Sequence, residues 1–396
     1  MCIRDSIKMK VIILGACGGM GRYVAKSISS FKEIDNLGIA DLNKEDAEIL
    51  ASQLGYHAKG IGVDINDTEK LLSILFDYDV VLNTVGPFFK FGYKILQTSL
   101  DANCHYMDIC DDWEPTERML ELNSKAKEKN LLAILGLGAS PGITNLLGKI
   151  AIDNLDKAHT IYTGWNLEEA QPEDISSQKE TNAAMIHGIE QISGKVKIFK
   201  DKSFKMVNPL KKLKVSYPNY GTYNAYIFGH PEAITFPYHH KDITNSVNLA
   251  HGNKSTIFVL RIIRLLISLK ILSKNLAARF LEWLERKGSS KNHIQENSLP
   301  EIYALAVGLK NGNEETVGVS LDGTLTRDLT MGEATGNPLS IGLKMFLNKE
   351  ISVTGVVAPE SNFIDHKKLL MEIYRSFGME DLSLIHISEP TRRIHI

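Results

Sequence analysis

Gly15, Gly18 and Gly21 recur every third residue in the run Gly15-Ala16-Cys17-Gly18-Gly19-Met20-Gly21-Arg22. An apolar stretch precedes the run and a helical pattern follows it. Each glycine answers a separate need. Gly15 permits a tight turn, Gly18 lets backbone approach a pyrophosphate, and Gly21 lets the helix close on the strand. Free N–H groups at the start of that helix have no intrahelical partners and suit a phosphate, with Gly19, Met20 and Gly21 in the loop that meets it. The spacing GxxGxxG is one residue longer than the GxGxxG fingerprint. Asp41 lies 20 residues beyond Gly21, where a second strand ends. A carboxylate there accepts hydrogen bonds from the adenine ribose of NAD and repels the 2′-phosphate of NADP. NAD is therefore the expected cofactor, with NADP left open because Arg22 stands within reach of a 2′-phosphate.

Further polar residues fall where strands end. Asp64 closes the third strand, placed equally well for an adenine amino group or as the cap of the next turn. Asn83-Thr84-Val85-Gly86-Pro87 closes the fourth. Ligands of open α/β sheets bind outside strand carboxyl ends, so Asn83, Val85 and Gly86 are expected beside a nicotinamide. Asp108 closes the fifth strand, either to receive a substrate ammonium or to cap a helix or pair in a loop. Ser140-Pro141-Gly142 precedes a helix near Ile143, whose N-terminus is expected to be exposed and to hold a substrate carboxylate. Later in the chain, Gly229-His230-Pro231-Glu232 combines an acid–base group with a carboxylate. A histidine in a turn is more often structural, and both readings of His230 stay open. His239-His240 has no third ligand at helical spacing, so no metal is expected.

These residues need a frame. Residues 10–15 form a continuous apolar run, the mark of a strand buried on both faces. Strands ending at Asp41, over 58–63, 79–84, 105–109 and 131–135 alternate with helices over 20–31, 44–54, 67–76, 91–102 and 114–129. That alternation predicts a doubly wound parallel sheet, a Rossmann domain over 9–150. The rhythm then changes. A strand over 159–165, a helix over 179–192 and hairpins over 196–207 and 303–321 predict a second, α+β domain over 151–338. Helices over 339–348 and 365–377 make up a segment, 339–381, that is free to return to the first domain.

Composition narrows the function classes. The chain has 396 residues, 43% apolar and 23% charged, with a net charge of -2. Disorder is excluded, and no basic excess points to nucleic acid. The cysteines Cys2, Cys17, Cys104 and Cys110 form no CxxC pair, which fits a reducing, cytoplasmic compartment. Ile257 to Leu272 is dense in apolar residues yet carries Arg261, Arg264 and Lys270. It is too short and too charged to span a bilayer. The favoured reading is a core or subunit-interface helix with snorkelling arginines. The lesser reading is contact of 257–287 with a membrane surface or a partner, which would suit a nucleotide-binding protein without catalysis. Residues 1–6 and 382–396 resemble translated adapter sequence and are set apart from the fold.

The chain resembles the saccharopine dehydrogenase family, which includes lysine 6-dehydrogenases and carboxynorspermidine dehydrogenases. The resemblance rests on Val11 to Arg22, Asp79 to Asp111, Leu135 to Leu147, Gly229 to Thr235, and Ala334 through Glu360. It implies a Rossmann domain, a second domain with substrate and dimer contacts, and hydride transfer between NAD(P) and a C–N bond of an amino acid, amine or imine. By the same resemblance Gly15, Gly18, Gly21, Asp41, Asn83, Val85 and Gly86 hold the cofactor. Asp108, Ser140, His230 and Glu232 line the substrate.

Overall fold

A computed structural model describes residues 8–167, 183–287, 298–321, 329–379 and 384–390. Strands and helices alternate from the start: β1 (Met9–Leu14), α1 (Gly19–Ile28), β2 (Ile34–Asp41), α2 (Lys44–Leu54), β3 (Ala58–Gly62), α3 (Thr68–Leu75), β4 (Val80–Asn83), α4 (Phe88–Asp101), β5 (His105–Asp108), α5 (Trp113–Leu120), α6 (Asn123–Glu128) and β6 (Leu132–Ile134). Next come α7 (Ile143–Asp153), β7 (Lys157–Asn166), α8 (Ala183–Ile192), β8 (Val196–Lys200), β9 (Ser203–Val207), β10 (Lys212–Tyr217), β11 (Gly221–Ile227), α9 (Glu232–His239), β12 (Asn245–His251), α10 (Lys254–Ser268), α11 (Lys274–Lys287), β13 (Ile302–Lys310) and β14 (Asn313–Leu321). The chain closes with α12 (Met331–Leu347), β15 (Gly355–Val357), α13 (His366–Ser376) and β16 (Leu384–Pro390).

Two compact bodies result. The first holds residues up to Gly142 and again Met331–Gly378. Its seven strands run in the order β15-β6-β5-β4-β1-β2-β3, all parallel. Val11, Ile12, Ile13 and Leu14 of the central β1 have no exposed surface. Helices on both faces of a parallel sheet demand that of a middle strand. Register places Leu14 beside Ala40 and Asn83, and Asn83 beside Asp108. One edge of the sheet thus gathers the polar strand ends. Helix α12 packs on α1, where Gly336 leaves room for the Met20 carbonyl and the Tyr23 side chain.

The second body holds Ile143–Thr330 and the last strand. Its mixed sheet runs β10-β11-β12-β7-β13-β14-β16, and the β8–β9 hairpin joins at β12. Only β12 and β7 pair in parallel along this path. Asn311-Gly312, both at positive φ, turn β13 into β14. Gly164 sits where an added Cβ would come within 2.2 Å of the Tyr303 ring, so glycine is required for that ring to cross β7.

Several expectations change on the structure. The charged helix over 114–129 is two helices, broken at Glu121-Leu122, where Leu122 has a ψ near 2°. The helix expected from 339 begins at Met331 and runs through Pro338. Residues 257–272 are not a core helix. In α10 only Ile257 and Ile263 are buried, and Phe258 and Leu265 are 63% and 57% exposed. Leu384–Pro390, set apart on sequence grounds, pairs antiparallel with β14. Residues 1–6, 382–383 and 391–396, and the 179–182 part of a predicted helix, lie outside the described residues. No described helix is long and apolar enough to cross a membrane.

Candidate functional site

The glycine loop lies where β1 meets α1, at the point where strand order reverses between β1 and β4. Gly15 has φ +78°, a conformation costly for any residue with a Cβ. A Cβ at Gly21 would stand 2.2 Å from the Gly15 carbonyl oxygen, so only glycine lets α1 close on the turn. Gly18 is different: a Cβ there would meet only the Gly15 oxygen, at 3.4 Å. Gly18, Gly19 and Met20 reach the surface in part.

Helix α1 has no side-chain cap and no acidic residue in its first turn. Asn43 caps α2, Asp67 caps α3 and Asp365 caps α13, whereas α5, α6, α9 and α10 share with α1 a start without a side-chain cap. An uncapped start with open amides fits a ligand that brings negative charge. The loop is braced on both flanks. The Cys17 amide donates to Asp41 Oδ2 at 2.9 Å, and Leu42 N donates to Oδ1 at 2.8 Å. Arg22 Nε donates to the Cys17 carbonyl at 2.7 Å. Burial and the nearby Asp41 push the Cys17 thiol up to about 12, so it is not a nucleophile at neutral pH.

Thr84 completes the clasp, and the sequence reading passed over it. Its hydroxyl bonds to the carbonyls of Leu14 and Gly15 at 2.9 and 3.0 Å. A hydroxyl just after β4, opposite the glycine turn, was the available signal. Asn83 is fully buried: its Nδ2 donates to Tyr106 Oη and its Oδ1 accepts from Val85 N. It shapes the turn whose half-buried Val85 and exposed Gly86 face outward. Asp112 Oδ2 accepts from Phe89 N at 2.9 Å and so caps the start of α4.

Asp108 and the start of α7 depart from the sequence expectation, while Asp64 takes one of the two roles left open for it. Asp108 does not receive a ligand ammonium, because it has no exposed surface. Its Oδ1 accepts from Cys110 N and Gly136 N, and its Oδ2 accepts from Tyr106 Oη. Burial, offset by those donors, pushes its carboxyl up to about 6. Asp64 lies in the turn role: its Oδ1 accepts from both the backbone and side-chain nitrogens of Asn66. The N-terminus of α7 is not exposed, since Ile143, Thr144 and Asn145 are buried to within 1%. Ser140 is half-buried in the preceding turn.

The second body holds its own polar cluster. Glu232 is fully buried, and its Oε1 accepts from Thr144 Oγ1 at 2.8 Å and Asn248 Nδ2 at 3.0 Å. His230 Nδ1 lies 3.8 Å from Glu232 Oε2. The His230 ring stacks on Trp165 with centroids 5.3 Å apart, and Trp165 Nε1 donates to Asn248 Oδ1. Thr144 and Asn248 stand 88 and 16 residues from Glu232 in sequence, so no local pattern announces the cluster. Burial holds the His239 imidazole down to about 3, so it is neutral at pH 7. Among the described residues no three metal-ligating side chains converge.

A parallel sheet with β3-β2-β1-β4-β5-β6 neighbours and an uncapped glycine loop at its switch point defines a Rossmann dinucleotide-binding domain. Residues 11–134, all within the first body, match the family described as saccharopine dehydrogenase NADP binding domain. The cofactor of the first body is a nicotinamide dinucleotide. Among curated proteins, the chain is 24% identical over 235 residues to carboxyaminopropylagmatine dehydrogenase from Synechocystis, covering 56% of this chain and 57% of that one. The chain thus spans little more than half that relative's length. Among solved structures, saccharopine dehydrogenase (L-Glu forming) from Saccharomyces cerevisiae gives a TM-score of 0.62 at 16% identity, covering 96% of this chain and all of that one. Homospermidine synthase from Legionella pneumophila, in complex with NAD, gives 0.58 at 14% identity, covering 97% and 92%. Both show the same fold.

Proposed function

We propose that this protein is a nicotinamide-linked dehydrogenase acting at a C–N bond of a small amine or amino acid, with lysine- or polyamine-type substrates first in line. The observation that carries the reading is the uncapped α1 start, its loop braced by Asp41 and Thr84, in a domain that matches the saccharopine dehydrogenase NADP binding family. Relatives named as amine or amino-acid dehydrogenases support the substrate class.

The amides of Gly19 and Met20 would hold the pyrophosphate, and Asp41 the adenine ribose. The Gly86 edge would border the nicotinamide, which when bound supplies the hydride acceptor or donor. Asn83 holds the Val85 turn in shape, and Thr84 locks that turn to the glycine loop. As hydride leaves the substrate carbon, the N–H proton must be taken up. We assign that step to His230, with Glu232 and Trp165 positioning its ring. Ser140 remains a candidate for a substrate carboxylate. Cytoplasmic operation and pairing into a homodimer belong to the same proposal. They are supported by the reduced, buried Cys17, Cys104 and Cys110 and by the resemblance respectively.

The test is a panel of lysine, saccharopine and diamines with NAD and NADP, run on the wild type, His230→Gln and Asp41→Asn. Turnover with NAD should exceed that with NADP, and Asp41→Asn should narrow the gap. His230→Gln should lower kcat by about 100-fold or more, with NADH affinity unchanged. Cofactor binding without turnover of any amine would leave the first body as a dinucleotide-binding module and end the catalytic reading.

A further inference from the structure

Helices α10 and α11 turn apolar side chains outward. Phe258, Ile262, Leu265 and Leu269 recur at the i, i+4, i+7 and i+11 positions of one helical stripe, and they are 41–63% exposed. Leu276, Phe280 and Trp283 repeat the pattern on α11 at 45–57% exposure, with the Phe280 and Trp283 rings stacked 6.0 Å apart. Ile271, in the connection between the helices, is 69% exposed. Ile257, Ile263, Ala277 and Ala278 anchor the pair from the opposite side, so the outward stripes are surplus to the core. A stretch of apolar surface this continuous marks an interaction site.

The flank of α10 is cationic. Lys195, Lys211, Arg261 and Arg264 line a cavity of about 750 Å³ with no carboxylate among the described residues of its wall. Arg261 is held in place there: Nη2 donates to the Leu210 carbonyl at 2.9 Å, and the guanidinium lies over the Tyr226 ring. Leu265 belongs both to the cavity wall and to the apolar stripe, so the two surfaces are continuous. Among the acids nearby, Glu190 is paired with Lys274.

We propose that the α10–α11 pair seats this protein on the surface of an anionic phospholipid membrane. The apolar stripes enter the acyl boundary, and the cations around the cavity engage headgroup phosphates. The charge pattern selects this occupant. Isologous pairing with a second copy would set the same cationic flank against itself. An acidic headgroup layer neutralises it. No described helix is long enough to cross, so the contact is interfacial.

The full chain is floated with vesicles of phosphatidylcholine alone, or of phosphatidylcholine mixed with phosphatidylserine, at low and high salt. Flotation is expected with the mixed vesicles and should weaken as salt screens the headgroups. Arg264→Gln should weaken partitioning about fivefold. Leu265→Ser with Phe280→Ser should abolish it. Vesicles should shift the fluorescence of the wild type but not of Trp283→Phe. Circular dichroism and the melting temperature of each variant show that it remains folded. No flotation at low salt, or equal flotation with neutral vesicles, overturns the proposal. A wild-type dimer that Leu265→Ser dissociates, with vesicles left unbound, gives the surface to a second copy and overturns it too.

Discussion

Gly18 and Gly21 stand in one loop and answer to different constraints. At Gly21 a Cβ would collide with the Gly15 oxygen and lie 2.8 Å from Ala16 Cα, so backbone has to move. At Gly18 the added atom meets one ordinary contact. Gly21→Ala should therefore cost about 1–3 kcal/mol of stability and lose NADH binding with it. Gly18→Ala should melt as the wild type does while binding NADH about tenfold more weakly or worse. Melting curves paired with fluorescence titrations separate the two effects, and equal loss of stability in both variants would contradict the division of labour. At this scale the glycines and Asp41 were legible because their requirements are local: a turn, a close approach, a strand end. Asp108 was legible in position but not in role. Sequence shows a carboxylate at a strand end. It does not show the Gly136 amide, 28 residues on, arriving to occupy it.

Strand β5 and its neighbour β6 are tied through that carboxylate, and the tie depends on pH. Burial raises the Asp108 carboxyl from 3.8 to about 6. Between those values the folded chain holds a proton that the unfolded chain has released. The stabilisation is complete below pH 4 and is lost as pH rises through 6, about 3 kcal/mol in all. Asp108→Asn removes the titration. Hydrogen exchange on peptides of β5 and β6 should show the wild type losing local stability relative to the variant from pH 4 to 7. Parallel pH profiles would refute the assignment. His251 acts with the opposite sign in the second body: burial holds it down to about 4, so its contribution falls as pH drops below 6.5. Among elements, periodicity found α2 over 44–54 and the hairpin around Asn311-Gly312, because an amphipathic pattern and a tight turn lie within a few residues. It did not find the division between α5 and α6, the early start of α12, or the outward face of α10. Apolar density along a helix is the same whether the stripe meets a core or solvent.

The first body is assembled from two distant stretches of chain. The family match ends at residue 134, yet β15 pairs with β6, and α12 packs Gly336 against the Met20 carbonyl of the cofactor helix. An internal deletion of residues 331–379 leaves the entire matched segment in place. It should nevertheless abolish NADH binding and lower the melting temperature, because α1 loses the helix that covers it. Retention of NADH binding by that deletion would show that residues 8–142 are self-sufficient. The amino-acid sequence alone determined the strand–glycine loop–helix unit, the parallel alternation, the acidic end of β2 and the location of an unusual basic apolar segment. All of these depend on neighbours within about 30 residues. Only the tertiary structure decided that Asp108 is a buried tie, that Thr84 clasps the loop and that Glu232 meets Thr144 and Asn248. It also decided that residues 331–379 complete the dinucleotide body and that α10 turns its apolar stripe to solvent. The physical reason is the same in each case. Burial and hydrogen-bond partnership are set by groups far apart along the chain, and those groups become neighbours only when the sheets form.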